Sequence, residues 1–248
     1  MSDDGRIPRA RIGLIIPSSN RLTEPQFHQY CPPGVVPHVT RLRITQPHMR
    51  PALEMLDEIR DAAIMLADAK CDIIVFHCTG SSMESGLDAE REVVDVIRRT
   101  TGRAACSTAS ALLEAFRALE ARRLVLVTPY RQEVNDGEIA FLREAGLEVL
   151  RDRALALSGS DGLCSAPADL FLQATLEEAD PAADAYFISC TNIRSPEVVE
   201  ALEASLARPV VTSNQATLWY CLKACGLPDV VSGLGTLFKV GLPVDVGR

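Results

Sequence analysis

Two short polar segments that contain a Cys-Thr pair could carry chemistry in this chain. Cys78-Thr79 and Cys190-Thr191 are 112 positions apart, and each comes soon after a short apolar run. Apolar runs of this kind are typical of parallel strands that are buried on both faces. Ligands of open α/β sheets bind beyond the carboxyl ends of such strands. Both thiols are therefore candidates for an active site.

Two thiols on either side of a small substrate permit two kinds of reaction. A thiolate is both a strong nucleophile and a competent base. One thiol can remove a proton while the other returns a proton to the opposite face, which gives racemisation. Alternatively, one thiol adds to an activated carbon while the other handles the proton. Neither route requires a metal or an organic cofactor, and we expect none.

The chain contains an internal duplication. Residues 11–17 and 123–129 are matched apolar segments, again 112 positions apart, and residues 103–108 match 208–213 at a spacing of 105. Three matched segments in the same order indicate two similar halves, 1–120 and 121–248. If the halves face each other with pseudo-symmetry, the two Cys-Thr strand ends point into one cleft.

Apolar runs alternate with segments of helical periodicity along the whole chain, which predicts an α/β fold. We expect two pseudo-symmetric halves, each a mostly parallel sheet flanked by helices. Polar loops are predicted at 77–82 and 158–162. The predicted strands are 12–16, 35–44, 73–76, 102–106, 124–128, 147–154, 186–189 and 210–212. The predicted helices are 51–69, 88–100, 107–119, 134–145, 168–179, 196–206 and 214–225.

A carboxylate that gains negative charge during such a reaction needs hydrogen-bond donors. Hydroxyls, amides and backbone N–H groups at strand ends can provide them. The candidate substrate-binding residues are Ser18, Ser19, Asn20, Thr79, Gly80, Ser81, Ser82, Tyr130, Thr191 and Asn192. Asn20 and Tyr130 have structural alternatives, since Asn20 could cap a helix and Tyr130 could pack a loop.

A structural role for the cysteines has to be weighed against the catalytic one. Buried cysteines are common and usually inert. The matched spacing favours function for Cys78 and Cys190, whereas the other six cysteines are interpreted as packing residues. His77 adjoins Cys78 on a strand, so its side chain should point to the opposite face and lie in the core. Cys221 and Cys225 have no histidine nearby in sequence, which argues against a zinc site.

Composition narrows the class of protein. The 248 residues carry a net charge of −8, which argues against nucleic acid or an anionic membrane as a partner. No apolar run approaches the roughly 18 residues of a membrane span, and the polar N-terminus lacks the core of a signal peptide. We therefore expect a cytoplasmic protein with reduced cysteines. We expect a homodimer or a higher homo-oligomer, with the dimer as the default for such an enzyme.

Several motifs resemble one superfamily of enzymes. The segment 17–20 (Pro-Ser-Ser-Asn), the two cysteine positions and the segment 128–130 (Thr-Pro-Tyr) are similar to the cofactor-independent aspartate/glutamate racemase superfamily. Within it the chain looks most like maleate cis-trans isomerases and arylmalonate decarboxylases, from residue 11 to about 238. The resemblance implies that Cys78 adds to a double bond, Cys190 manages the proton, and Asn20 and Tyr130 hold carboxylates.

The resemblance leaves the substrate open. Residues 79–82 (Thr-Gly-Ser-Ser) follow the first cysteine where isomerases often have apolar residues, and the segment 158–162 lacks the asparagine usual there. Residues 21–23 (Arg-Leu-Thr) follow Asn20 where the isomerases have small polar residues. The leading hypothesis is an isomerase of a small dicarboxylic acid such as maleate. A racemase or decarboxylase is the alternative, although decarboxylases of this type keep only the second cysteine. A non-catalytic carboxylate-binding protein is a third hypothesis.

Overall fold

Two parallel sheets with the same strand order form the framework of the chain. The structure, a computed structural model, describes residues 7–45 and 50–242. The first sheet has the order β2-β1-β3-β4 and the second the order β6-β5-β7-β8, with all neighbouring strands parallel. The strands are β1 (Ala10–Pro17), β2 (Val35–Leu42), β3 (Ile73–Phe76), β4 (Ala104–Ser107), β5 (Arg123–Thr128), β6 (Glu148–Ala154), β7 (Ala185–Ile188) and β8 (Val210–Thr212). The predicted fold class is confirmed.

Helices connect the strands and cover the sheets. They are α1 (Thr23–Tyr30), α2 (Leu56–Asp68), α3 (Thr79–Met83), α4 (Gly86–Thr101), α5 (Thr108–Ala118), α6 (Gln132–Glu144), α7 (Gly159–Ser165), α8 (Ala168–Glu177), α9 (Val199–Leu206) and α10 (Ser213–Ala224). Short 3-10 turns precede α2 and α9. Within the described residues, no helix is long and apolar enough to span a membrane.

Three local predictions were wrong. Residues 79–83 form α3 and residues 159–165 form α7, where we expected loops. Both helices are rich in glycine and serine, which have low helix propensity, so only their tertiary packing stabilises the helical form. In the predicted helix 51–69, the apolar spacing predicts that Leu53, Leu56, Ile59, Ala63, Ile64 and Leu66 share one buried side, but Leu53 and Ile64 are exposed.

The duplication extends to the hydrogen bonds that tie each third strand to its first. Asp72, just before β3, accepts a hydrogen bond from the backbone N–H of Arg11 (2.7 Å). Asp184, just before β7, accepts bonds from the backbone N–H groups of Arg122 and Arg123 (3.0 and 2.8 Å). The matched aspartates therefore both accept backbone N–H groups next to the first strand of their half.

A shared apolar core joins the halves. Helix α5 of the first half packs against α10 of the second, with Phe116 and Trp219 fully buried. Phe116 also meets Phe187 of β7 edge to face, with ring centroids 5.6 Å apart. The carboxyl ends of the two sheets thereby lie on either side of one cleft. The division into domains at residue 120 stays a prediction.

We expect Asp184→Ala to destabilise the protein more than Asp72→Ala. Asp184 accepts two backbone N–H groups and pairs with the guanidinium of Arg123 (2.8 Å), whereas Asp72 accepts one N–H group. Hydrogen bonds to a charged group predict a loss of about 2 kcal/mol for Asp184→Ala and about half of that for Asp72→Ala. Urea unfolding at neutral pH measures both, and equal losses would contradict this ranking.

Candidate active site

One narrow pocket lies between the carboxyl ends of the two sheets and contains both predicted thiols. Cys78 opens α3 directly beyond β3, and Cys190 follows β7 by two residues. The centre of a water molecule can occupy a volume of only about 30 Å³ in this pocket. The lining residues are Pro17, Ser19, Asn20, Ile44, Cys78, Thr79, Tyr130, Ser160, Leu163, Cys190, Thr191 and Asn192. None of these lining residues is cationic.

The Cys78 thiol is buried, and burial raises its pKa because a thiolate loses hydration there. The hydroxyl and the backbone N–H of Ser81 lie close to the sulfur and oppose that rise. Ser81 belongs to the first turn of α3, where N–H groups have no partner within the helix. The short helix therefore supplies donors to the thiol that precedes it.

Cys190 has a backbone conformation that is unusual for a residue with a side chain. Its φ is +119°, a strained region for an L-residue. Its N–H donates to the hydroxyl of Ser213 (3.1 Å), and that hydroxyl also accepts a hydrogen bond from Thr79 (2.9 Å). Ser213 thus links the two Cys-Thr segments and holds the strained residue.

Two groups near the Cys190 sulfur favour its thiolate. The Asn192 N–H donates a hydrogen bond to it at 3.3 Å, and the nearby hydroxyl of Tyr130 opposes the rise of its pKa. Burial nevertheless dominates and raises the pKa of Cys190 to about 12. Burial and the two neighbouring thiols also hold the pKa of Tyr130 well above its usual range, so its hydroxyl stays a donor.

Three side-chain donors converge on the carbonyl oxygen of Thr191. They come from Asn20 (3.2 Å), Thr23 (3.1 Å) and Asn214 (3.0 Å). Asn20 also accepts hydrogen bonds from the N–H groups of Leu22 and Thr23 (3.1 and 2.9 Å). Asn20 therefore lines the pocket and, in addition, organises the start of α1. The sequence left two roles open for Asn20, at the ligand site and at the start of a helix, and its position in the structure is consistent with both.

His77 is a core histidine, as its position next to Cys78 predicted. Its Nε2 donates to the Asn214 side-chain oxygen (2.7 Å), and its Nδ1 accepts from the Thr108 hydroxyl (3.0 Å). Burial lowers its pKa to about 4, so the ring is neutral at physiological pH. Asn214 also donates to the side-chain oxygen of Gln26. His77 is therefore part of the scaffold and not a base for the thiols.

The structure brings most of the predicted site residues together. Four lie outside the pocket lining: Ser18 is exposed, while Gly80, Ser81 and Ser82 are buried in α3. Ser19, the neighbour of Ser18, takes the lining position and donates to the Ile44 carbonyl (3.0 Å). Because β1 has just ended, strand alternation could not determine which serine faces inward.

Several residues of the site were missed by sequence reasoning. Ser160 and Leu163 reach the pocket from α7, which was predicted as a loop in part. Ser213 and Asn214 follow β8, so the rule that ligands bind beyond strand ends could have identified them. Within the described residues, no group of three or more histidine, cysteine or acidic side chains is arranged to hold a metal ion.

A duplicated α/β fold with two buried thiols in one small cleft defines a class of enzymes that use paired cysteines on small acids. Residues 12–238 match the family model described as arylmalonate decarboxylase. The chain belongs to this family, and the resemblance inferred from its motifs is confirmed.

Relatives within the family include both isomerases and a decarboxylase. A maleate isomerase of Pseudomonas putida is 30% identical over 92% of this chain and 97% of its own. The arylmalonate decarboxylase of Bordetella bronchiseptica is 28% identical over 74% of this chain and 78% of its own. A Nocardia farcinica maleate cis-trans isomerase mutant, solved with a covalently bound succinylcysteine intermediate, superposes with a TM-score of 0.85 at 26% identity, over 92% of this chain and 98% of that one. These relatives bear out the prediction of an isomerase.

We expect Asn214→Leu to destabilise the protein strongly because it removes the centre of a buried hydrogen-bond network. The substitution leaves the His77 Nε2–H and the Gln26 side-chain oxygen without their partner. The predicted loss is about 3 kcal/mol. Thr217→Val is the matched control, since Thr217 lies buried on the same helix and its hydroxyl makes no hydrogen bond. Chemical unfolding measures both, and a loss below that of Thr217→Val would contradict the role assigned to Asn214.

Proposed function

We propose that this protein interconverts the cis and trans forms of a small unsaturated dicarboxylic acid, with maleate to fumarate as the leading case. The observation that carries the proposal is that one thiol from each half lines the same narrow pocket. The name of the Pseudomonas putida relative supports this substrate. The covalent succinylcysteine of the Nocardia farcinica mutant supports a route through a carbon–sulfur bond.

Addition of a thiolate to the double bond is the first step of the proposed mechanism. The Cys78 sulfur forms a bond to one alkene carbon of maleate. The π electrons move to the other alkene carbon, whose negative charge spreads into its carboxylate. The Cys190 thiol then donates its proton to that carbon, which gives a succinyl thioether and a Cys190 thiolate.

Rotation and elimination complete the reaction. The bond between the two former alkene carbons is now single, so it rotates from the cis to the trans arrangement. The Cys190 thiolate removes a proton from the carbon that it protonated. The double bond forms again, the carbon–sulfur bond breaks, and Cys78 leaves as a thiolate. Fumarate is released, and both thiols return to their starting states.

Neutral donors hold the carboxylates in this proposal, since no cationic side chain is among the described lining residues. The hydroxyl of Tyr130 and the amide of Asn192 lie at the pocket. The hydroxyls of Thr79 and Ser19 also line it, and they would turn from Ser213 and from the Ile44 carbonyl to donate to a bound carboxylate. The first N–H groups of α3 have no partner within the helix and add further donors. Such preorganised dipoles stabilise a carboxylate that gains charge in the transition state.

Decarboxylation is the second candidate, because the family model and the Bordetella bronchiseptica relative carry that name. One feature of this chain favours isomerisation: both cysteines are present, although decarboxylation of this type requires one.

The remaining predictions concern the cellular compartment, the oligomeric state and the domain division of the enzyme. We infer that it works in the cytoplasm, where its eight free cysteines would stay reduced. The homodimer and the division into domains at residues 1–120 and 121–248 stay predictions. Size-exclusion chromatography with light scattering measures the oligomeric state.

We expect the purified protein to convert maleate to fumarate and both Cys78→Ala and Cys190→Ala to abolish the conversion. Proton NMR in D₂O follows the substrate and product signals directly. Cys164→Ala is the control, because Cys164 is half-exposed and outside the pocket lining, and it should keep wild-type activity. Conversion that is lost in Cys190→Ala but kept in Cys78→Ala would contradict the two-thiol mechanism.

We expect Tyr130→Phe to lower kcat by about 10²-fold, since it removes a buried donor at the reacting sulfur. The fold should persist because the ring is retained. Tyr186→Phe is the matched control: Tyr186 is also buried in the second half, but its hydroxyl donates to the Asp180 carbonyl (3.1 Å) away from the pocket. Steady-state kinetics with maleate separates the two variants, and an equal kcat in both would exclude Tyr130 from the proposed mechanism.

A further inference from the structure

Glu138 is a buried carboxyl that the proposed mechanism does not use. It lies on α6, and only 2% of its surface is exposed. Neither of its carboxyl oxygens makes a hydrogen bond of normal geometry with the described residues. Burying an uncompensated charge is costly, so such a carboxyl tends to bind a proton.

Glu138 lies close enough to the active site to affect all three of its titratable groups. A negative charge on Glu138 raises the pKa of Cys78, of Cys190 and of Tyr130. The hydroxyl of Ser189, next to Cys190 in the chain, neighbours the carboxyl and lowers its pKa. The burial of Glu138 has the larger effect and raises its pKa to about 7.

A second cavity reaches Glu138 and shares no lining residue with the substrate pocket. About 270 Å³ of it is open to the centre of a water molecule, roughly nine times the value for the substrate pocket. It lies between α3 and α6, and Gly80, Met83 and Val134 line it together with Glu138. Glu84 and Glu133, which also line it, are exposed. The cavity therefore brings solvent close to Glu138 by a route other than the substrate pocket, while both carboxyl oxygens stay buried.

No cationic side chain among the described residues contributes to the pKa of Glu138. Helices α3 and α4 and strand β6 pack against α6. Beyond the thiols and Tyr130, the charged groups on these elements are exposed or paired elsewhere. After α3 and on α6, Glu84, Glu133, Asp136, Arg143 and Glu144 are exposed. Strand β6 carries the exposed Glu148, Arg151 and Arg153, and Asp152, which accepts from Asn135. On α4, the buried Glu90 accepts from Ser107 (2.6 Å), and Asp88, Glu92 and Asp95 pair with Arg91, Arg99 and Arg98.

We propose that Glu138 and the thiol pair share a single negative charge, and that the reactive thiolate forms in the state in which Glu138 carries the proton. The S–H bond of one thiol breaks, and an O–H bond forms on the Glu138 carboxylate. The net charge of the buried site stays at −1, so no additional charge enters a pocket that also binds an anionic substrate. Glu138 therefore acts as a positioning residue. It does not contact either sulfur, and its charge changes the pKa of the two thiols.

The proposal fixes the shape of the pH dependence of thiol reactivity. Below the pKa of Glu138 the carboxyl is neutral, and the thiolate population rises tenfold per pH unit. Above about pH 7 Glu138 ionises first and opposes the thiolate, so the rise levels off. A glutamine at this position stays neutral at every pH, so the rise should continue.

The test is the rate of iodoacetamide alkylation at Cys78 and Cys190 between pH 6 and 9, read by peptide mass spectrometry. We expect wild type and Glu138→Gln to react equally at pH 6. At pH 9 the variant should react on the order of tenfold or more faster, since its thiolate population keeps rising. Glu133→Gln is the matched control, because Glu133 lines the same cavity from the same helix but is exposed, and it should follow wild type.

Superimposable profiles for wild type and Glu138→Gln would overturn the proposal. If Glu138→Gln does not fold, infrared spectroscopy of wild type replaces it: the carbonyl band of a buried protonated carboxyl should vanish with the midpoint at which alkylation levels off. A different midpoint would equally refute shared charge. The inference concerns the same site as the proposed function, but alkylation needs no substrate. Failure on maleate with the expected profiles would therefore refute only the substrate.

Discussion

The hydrogen bonds that converge on the Thr191 carbonyl determine how the two halves meet at the reaction site. Asn20 and Thr23 reach this oxygen from the first half, and Asn214 reaches it from the second. The carbonyl belongs to the residue after Cys190, so the position of that thiol is fixed relative to the loop that follows β1. Asn214 extends the same network to His77, the residue before Cys78. Both cysteines are therefore positioned by one buried network.

A second constraint is the cost of negative charge in a pocket whose described lining has no cation. Burial raises the pKa of both thiols, and only neutral donors oppose it. Each additional charge makes the next one harder to form, as expected for strongly coupled groups. A site of this kind favours one thiolate beside one thiol, which is the pair that addition and protonation require. The electrostatic link to Glu138 extends the coupling to a third group.

The sequence predicted what depends on local pattern and missed what depends on contact. Strands β3 and β8 have the predicted bounds because short buried strands are continuous apolar runs between polar segments. The duplication was visible because two of the matched strand pairs share a spacing of 112 positions and a third pair follows in the same order at 105. Helices α3 and α7 could not be predicted, since their glycines and serines disfavour a helix until it packs. Glu138 also gave no signal, because a glutamate in an amphipathic helix is normally exposed.

The duplicated scaffold nevertheless holds two chemically different thiols. Cys78 has an extended backbone and opens a helix, so its donors are the hydroxyl and N–H of Ser81. Cys190 has a positive φ and no helix directly after it, and its donors are Tyr130 and Asn192. Two thiols in identical environments would have the same pKa, so neither sulfur would hold the proton in preference to the other. The departure from symmetry in the backbone at Cys190 therefore supports separate roles, with one thiol as nucleophile and the other as proton carrier.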